Sequence, residues 1–323
     1  MKIRDIGGEF GIIDRIKRGI RIYSKDVIAG IGDDAAVLEC GKSKYMILKT
    51  DTLLENVHFS LKYCSAAQAG MKVIEQNASD MAAMGAIPRH AMISLALPGN
   101  IGLEFIDGLY GGINKKAKEY RINVVGGNLS RSKEIVINAA LIGYVEKKYL
   151  VLRSGAKAGD LIFCSGNVGK SAAGLELLRQ NLSGSSIKKH LEPRCRLDLA
   201  GKLARIGINS MIDVSDGIAS EVLHICEQSD TGAIIYADKI PIAKETIIDA
   251  KKTGKSALDF ALYGGEDFEL VFTADKSRLK RLERHDVKVI GEIISKKHGV
   301  KLVKDGKKSD LESGFDHFKG IFV

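Results

Sequence analysis

The chain has 323 residues, of which 45% are hydrophobic and 28% charged. This is an ordinary soluble composition whose length suggests two domains, and no apolar run is long enough to span a bilayer. Net charge is +9, but the basic residues are interleaved with acids, Trp is absent and aromatics make up only 6%, which argues against a nucleic-acid-binding protein.

The five cysteines are widely spaced and form no C-x-x-C, and the first residues carry no secretory pattern. The expectation is a cytoplasmic protein with reduced, mostly buried thiols. Residues 9–19 read as an amphipathic helix, with Phe10, Ile13, Ile16 and Ile20 near helical spacing. Apolar segments 35–38 and 45–48 read as short buried strands. Asp33-Asp34 opens the first and Thr50-Asp51 is expected to end the second. A helix follows over 65–84, with Ser65 as N-cap and Met71, Ile74, Ala78 and Met81 on one apolar face. Asp80, near the C-terminal end of that helix, opposes its dipole and hints at a use beyond the helix.

Then come a strand at 92–97, a helix over 103–120, a strand at 122–125 ending in Gly126-Gly127-Asn128, and a long strand over 135–145. A polar, Gly-rich connector at 153–160 opens the second half, which continues with a strand at 161–164. The run Ser165–Ser171 imitates a phosphate-binding P-loop, but only two residues separate Gly166 from Gly169-Lys170-Ser171 where four are needed. It reads instead as a helix N-terminus before 172–178. Helices are expected over 195–206 and 217–229, with strands at 270–273 and 287–294. Between the two helices, Asp213-Val214-Ser215-Asp216-Gly217 is a second acidic strand end. The lysine-rich stretch 296–308 reads as a solvated loop. Strands and helices alternate without a strict repeat, which predicts a mixed α/β (α+β type) fold with sheets covered on one side.

Aspartates at strand ends beside glycines are good turn formers, so each pair alone is ambiguous. Gathered together they would repel, and a divalent cation with oxygen ligands, such as Mg²⁺, would relieve that repulsion.

Several motifs agree in order. They are Gly30-Ile31-Gly32-Asp33-Asp34-Ala35, Thr50-Asp51-Thr52-Leu53 with His58-Phe59, and Asn77-Ala78-Ser79-Asp80-Met81 through Ala86. Leu152-Arg153-Ser154-Gly155 through Asp160, Asp213-Val214-Ser215-Asp216-Gly217 and Gly264-Gly265-Glu266-Asp267-Phe268 follow. With these the chain resembles the thiamine-monophosphate kinase family of the aminoimidazole ribonucleotide synthetase-like superfamily. The resemblance implies that superfamily's two-domain fold, with domains at 1–148 (ATP and metal binding, dimerisation) and 149–323, and a homodimer.

It implies ATP-dependent phosphorylation of thiamine monophosphate to thiamine diphosphate, by direct in-line transfer without a dedicated catalytic residue. By motif, Asp33, Asp34, Thr50, Asp51, Asp80, Asp213 and Asp216 would hold several Mg²⁺ ions. Gly127, Asn128, Arg153 and Ser215 would face ATP, and His58, Glu266 and Phe315 would face thiamine monophosphate. The chain departs from the family pattern at Asn128, where Asp is usual, at Lys49, where a small hydroxyl residue is usual, and at Glu312, near an expected aromatic. The rival readings are a superfamily relative with another acceptor and a non-catalytic nucleotide-binding protein.

Overall fold

The computed structural model describes residues 8–312, the Phe10 side chain excepted. Phe315 therefore lies outside the described residues. The first half contains α1 (Gly8–Gly19), β1 (Val27–Ala29), β2 (Ala36–Cys40), β3 (Lys44–Leu54), α2 (Ala66–Ala83), β4 (Ile87–Leu97), α3 (Leu103–Tyr120), β5 (Asn123–Arg131) and β6 (Val136–Glu146). Its six strands are ordered β1-β2-β3-β6-β4-β5. All neighbours are antiparallel except β4 and β5, which α3 joins by a crossover.

Along β6, every second residue from Ile137 to Val145 is buried. That alternation turns one face of the sheet toward α2 and α3 and leaves the other uncovered among the described residues.

The second half contains β7 (Leu161–Ser165), α4 (Lys170–Arg179), α5 (Ile187–Leu191), α6 (Leu197–Ile206), β8 (Ser210–Asp213), α7 (Ile218–Ser229) and β9 (Thr231–Tyr236). It continues with α8 (Lys244–Thr253), α9 (Ala257–Tyr263), β10 (Leu270–Ala274), α10 (Leu279–Leu282), β11 (Val287–Ser295), β12 (Val300–Lys304) and β13 (Lys307–Asp310). The strand order is β13-β12-β9-β11-β7-β10-β8.

This second sheet is covered on both faces, not one. In β7, Ile162 and Cys164 pack with Ile218, Val222 and Ile225 of α7, whereas Phe163 between them packs with Leu203 and Ala204 of α6. A continuously apolar strand has this two-sided burial as its signature. The lysine-rich stretch expected to be a loop is the β12–β13 hairpin. Its polar residues are tolerated because β13 is a fully exposed edge strand.

Helix α2 organises the whole. Ser65 and Gln68 close a capping box at its start. It packs on α3, β3, β4 and β6 of the first half and on α5, α6 and β8 of the second. Burial on nearly every face follows from that central position. Its crossing with α3 is close because glycines sit at the contact. A Cβ on Gly70 would lie 2.0 Å from the Leu109 carbonyl oxygen, and one on Gly112 would lie 1.9 Å from that of Ala67. Gly112→Ala is therefore expected to destabilise the protein by about 1–3 kcal/mol. An exposed helical glycine would instead gain about 1 kcal/mol from alanine's propensity. Urea midpoints of the two proteins check the sign.

Several strands run past their expected ends. Strand β3 continues to Leu54, so Thr50-Asp51 lies inside it, and β5 runs through Gly126-Gly127-Asn128 to Arg131. Helix α1 forms as expected, but Ile16 on its apolar stripe and Ile20, just beyond its end, remain exposed.

Candidate active site

A cleft of about 1320 Å³ is lined by residues from both halves. At one end it gathers carboxylates from five separate segments. Asp33 and Asp34 come from the loop before β2, which turns at Gly32 with φ +126°. Asp51 comes from β3, Asp80 from α2, Asp213 from the end of β8, and Asp216 from the loop that opens α7. One oxygen each of the buried Asp34, Asp80 and Asp213 lie within 4.8 Å of one another.

Positive charge reaches this cluster from two directions. The Arg153 guanidinium donates to Asp34 Oδ1 from Nε (3.0 Å) and Nη2 (2.6 Å), and its backbone N–H donates to Asp33 Oδ2 at 3.2 Å. Lys49 Nζ lies 3.0 Å from Asp80 Oδ2 and 3.8 Å from Asp51 Oδ2. Burial opposes charge on Lys49, but Asp80 and Asp51 outweigh it and raise the ammonium's pKa.

Two unit charges about 4 Å apart repel by about 4 kcal/mol at an effective dielectric of 20. In the aspartates this repulsion adds to the larger effect of burial. Burial, then Asp34, pushes Asp33 up to about 6 and Asp213 up to about 7. Burial, then Glu9, pushes Asp216 up to about 7. Asp80 is raised by burial, against the pull of Lys49. The donors suit a hard divalent ion, since they are carboxylate oxygens converging from rigid elements. Asp34 Oδ2 is buried and has no hydrogen-bond partner, as expected of an oxygen left for a cation.

The other end of the cleft is built around Glu266. Its backbone has φ +65°, and its carboxylate meets the buried Lys72 ammonium at 2.7 and 2.8 Å. Lys72 also donates to the His58 carbonyl oxygen at 2.7 Å, and His58 Nδ1 accepts from the Leu54 N–H. His190 Nδ1 lies 3.3 Å from Glu266 Oε2 and 3.2 Å from Ser171 Oγ. Burial disfavours charge on Glu266, but Lys72 outweighs it and lowers the pKa. Burial, then Lys72, lowers the His190 imidazole to about 4.

Two models match consecutive stretches of the chain. That for the AIR synthase related protein, N-terminal domain, covers residues 32–145, and that for the C-terminal domain covers residues 157–304. Thiamine-monophosphate kinase of Aquifex aeolicus is 37% identical over 98% of this chain and 100% of its own length. That of Bacillus subtilis is 36% identical over 96% of this chain and 99% of its own. A solved structure described as AaThiL complexed with AMPPCP and TMP superposes with a TM-score of 0.88, at 36% identity, over 98% of this chain and 99% of that one.

The chain belongs to the thiamine-monophosphate kinase family.

The residues singled out by motif do not all line this cleft. Asp33, Asp34, Asp51, Asp80, Asp213, Asp216, Arg153, Ser215, His58 and Glu266 line the cleft. Thr50, Gly127 and Asn128 do not, and strand geometry gives the reason. Lys49 and Asp51 face the cleft, so Thr50 between them faces the opposite side of the sheet, where it meets Asn138. Asn128, Ser94, Asn138 and Thr52 are successive cross-strand partners, one row on that same far face. Gly127 pairs with Ile93, and a Cβ there would lie 1.7 Å from the Ile93 carbonyl oxygen. Thr50, expected among the metal ligands, and Asn128, expected to face ATP, therefore lie on the sheet face away from this cleft.

The structure also brings to the site residues with little sequence signal. Glu221 accepts from the backbone N–H groups of Ser215 (3.1 Å) and Asp216 (2.8 Å), fixing the loop that carries both. Its only hint is a place in the first turn of α7. Lys72 gives no hint, because a lysine beside the apolar stripe of α2 reads as solvent-facing. The N-terminus of α4, at the end of the run Ser165–Ser171, is already occupied by a side chain. Asp267 accepts from the N–H groups of Gly169 and Ser171, the latter at 2.9 Å. The acidic Gly-Gly-Glu-Asp block therefore splits its work, Asp267 anchoring α4 and Glu266 facing the cleft.

Proposed function

We propose that this chain transfers the γ-phosphoryl group of ATP to thiamine monophosphate, giving thiamine diphosphate, with Mg²⁺ required. The observation that carries the reading is the full-length match to AaThiL solved with AMPPCP and TMP, joined to a cleft that has a carboxylate cluster at one end and a charged recognition end at the other. Asp34, Asp80 and Asp213 are the proposed inner Mg²⁺ ligands, with Asp33, Asp51 and Asp216 around them. Bound there, Mg²⁺ supplies charge neutralisation between donor and acceptor phosphates, the main need of phosphoryl transfer.

Arg153, held by Asp34, and Ser215, held on the loop that Glu221 fixes, face ATP. Glu266 and His58 position thiamine monophosphate. The acceptor phosphate is already ionised, so no general base is needed. The test is thiamine diphosphate formation from ATP and thiamine monophosphate, with and without Mg²⁺, and with thiamine and an aminoimidazole ribonucleotide precursor as controls. Turnover of a control in place of thiamine monophosphate would move the chain to another acceptor of the superfamily, and ATP binding without any turnover would make it a binding protein.

The raised aspartates set a pH dependence. A carboxyl whose pKa is raised to about 6 or 7 holds a proton near neutrality, and Mg²⁺ must displace it. The Mg²⁺ concentration for half-maximal rate is expected to fall about tenfold or more between pH 6 and pH 8. A flat profile across that range would contradict the ligand set.

We also propose that two copies pair through the uncovered face of the first sheet and that the halves are domains meeting near 148/149. Met92, exposed on that face, and the row Asn128-Ser94-Asn138-Thr52 support the pairing. Sedimentation velocity is expected to give twice the chain mass.

A further inference from the structure

The carboxylate cluster contains a cation of its own. Lys49 sits on β3 two residues before Asp51, so both side chains leave the same face of the strand. Its ammonium is hydrogen-bonded to Asp80 Oδ2 at 3.0 Å and drawn to Asp51 Oδ2 at 3.8 Å. The lysine side chain is 19% exposed and that of Asp80 11%. The strand fixes the tether, because Lys49 is in register with Leu141 at the centre of the long β3–β6 pairing.

A divalent ion bridging Asp80 and Asp51 would need the space this ammonium fills. Mg²⁺ takes near-octahedral oxygen ligands at about 2.1 Å and tolerates no cation within that shell. Two sets of oxygens are thereby distinguished. Asp80 Oδ2 and Asp51 are served by Lys49. Asp34 Oδ2, 97% buried by residue and without any partner, is not.

We propose that the Lys49 ammonium permanently replaces one divalent cation, so that this enzyme loads fewer Mg²⁺ ions than the same cleft would with a small hydroxyl residue at position 49. The inference rests on the carboxylate cluster being the Mg²⁺ site of the proposed kinase. It makes Lys49 a positioning residue, holding Asp80 and Asp51 in place before any metal arrives. The remaining ions are then directed toward Asp34, Asp213 and the other carboxylate oxygen of Asp80.

The deciding experiment counts Mn²⁺ bound to the full chain by equilibrium dialysis, without substrates, for wild type, Lys49→Thr and Lys49→Arg. Lys49→Thr is expected to bind about one ion more per chain than wild type, because the freed oxygens recruit a hydrated divalent ion. Lys49→Arg keeps the charge and is expected to match wild type. In EDTA, Lys49→Thr is expected to melt at least about 3 °C lower than wild type, and saturating Mg²⁺ is expected to close that gap.

Equal counts for wild type and Lys49→Thr overturn the proposal. A second measurement needs no folded Thr variant. The ammonium ¹⁵N signal of Lys49 in wild type, assigned by its absence in Lys49→Arg, is expected to persist at saturating Mg²⁺, and its loss on saturation overturns the proposal equally. Neither readout requires turnover. A chain that phosphorylates a different acceptor leaves the inference standing, whereas an active thiamine-monophosphate kinase with equal counts removes this inference alone.

Discussion

Asp213→Asn is expected to lower kcat by about 10²–10³-fold and, in the metal-free protein, to raise the melting temperature. Both effects follow from one placement. Asp213 ends β8, is 2% exposed, and has an oxygen within 4.8 Å of oxygens of Asp34 and Asp80. Its Oδ2 accepts from Ser79 Oγ at 2.6 Å, a hydrogen bond that asparagine can keep through its amide oxygen. The substitution therefore preserves shape and removes charge. Without that charge the cleft loses an anionic ligand for the ion that neutralises the transferring phosphoryl group.

The stability change has a definite pH signature. Burial, then Asp34, raises Asp213 from 3.8 to about 7. A group raised in this way contributes stability that is fully present below its unfolded pKa and is lost as pH rises through its folded pKa. Wild type is thus penalised increasingly from about pH 4 to above pH 7, while the asparagine variant is not. The melting-temperature advantage of Asp213→Asn should widen from pH 5 to pH 8 in EDTA and vanish or reverse in saturating Mg²⁺. A kcat within tenfold of wild type, or a melting temperature below wild type at pH 8 in EDTA, would remove Asp213 from the proposed ligand set.

How much of this was legible in the sequence depended on the range of the signal. Helix α2 announced itself through a local cap and an apolar stripe, and α3 and β6 were equally local. The acidic segments were visible too, and most of their carboxylates line one cleft. What the sequence could not supply was the third dimension of the strands. Thr50 and Asp51 are neighbours in one motif, yet the period of β3 sends them to opposite faces. Asn128 looked like a strand end after two glycines. The strand runs on because an exposed edge tolerates glycines and polar residues without needing them to turn. Elements such as α8, with three apolar residues in ten, and β13, with none, carry too few apolar residues to stand out from loop. Lys72 and Glu266 are 194 residues apart, and no local pattern joins them.

That pair gives the second large effect. Lys72→Met is expected to destabilise the protein by about 3 kcal/mol, the lower end of what losing one partner of a buried ion pair does. The lower end applies because the Glu266 side chain keeps a quarter of its surface in water, while Lys72 is 2% exposed. Methionine fills the same stem volume, so the loss is electrostatic. Glu266 Oε1 and Oε2 and the His58 carbonyl oxygen all lose the ammonium.

His190, 3.3 Å from Glu266 Oε2, is a nearby group able to compensate. It is held neutral, at about 4, by burial first and Lys72 next, while Glu266 pulls the other way. Its lowered pKa means that wild type loses stability as pH falls from 6.5 through about 4. With Lys72 gone, one of the depressing influences is removed and His190 should titrate nearer neutrality, its imidazolium facing Glu266 Oε2 from 3.3 Å. The stability deficit of Lys72→Met should therefore be smaller at pH 5 than at pH 8. Two-dimensional NMR of the His190 ring should show its midpoint moving up from about 4. A deficit that is the same at both pH values, with His190 still neutral at pH 5, would mean that Lys72 supports the cleft by packing alone and that Glu266 does not depend on a cation to stay ionised.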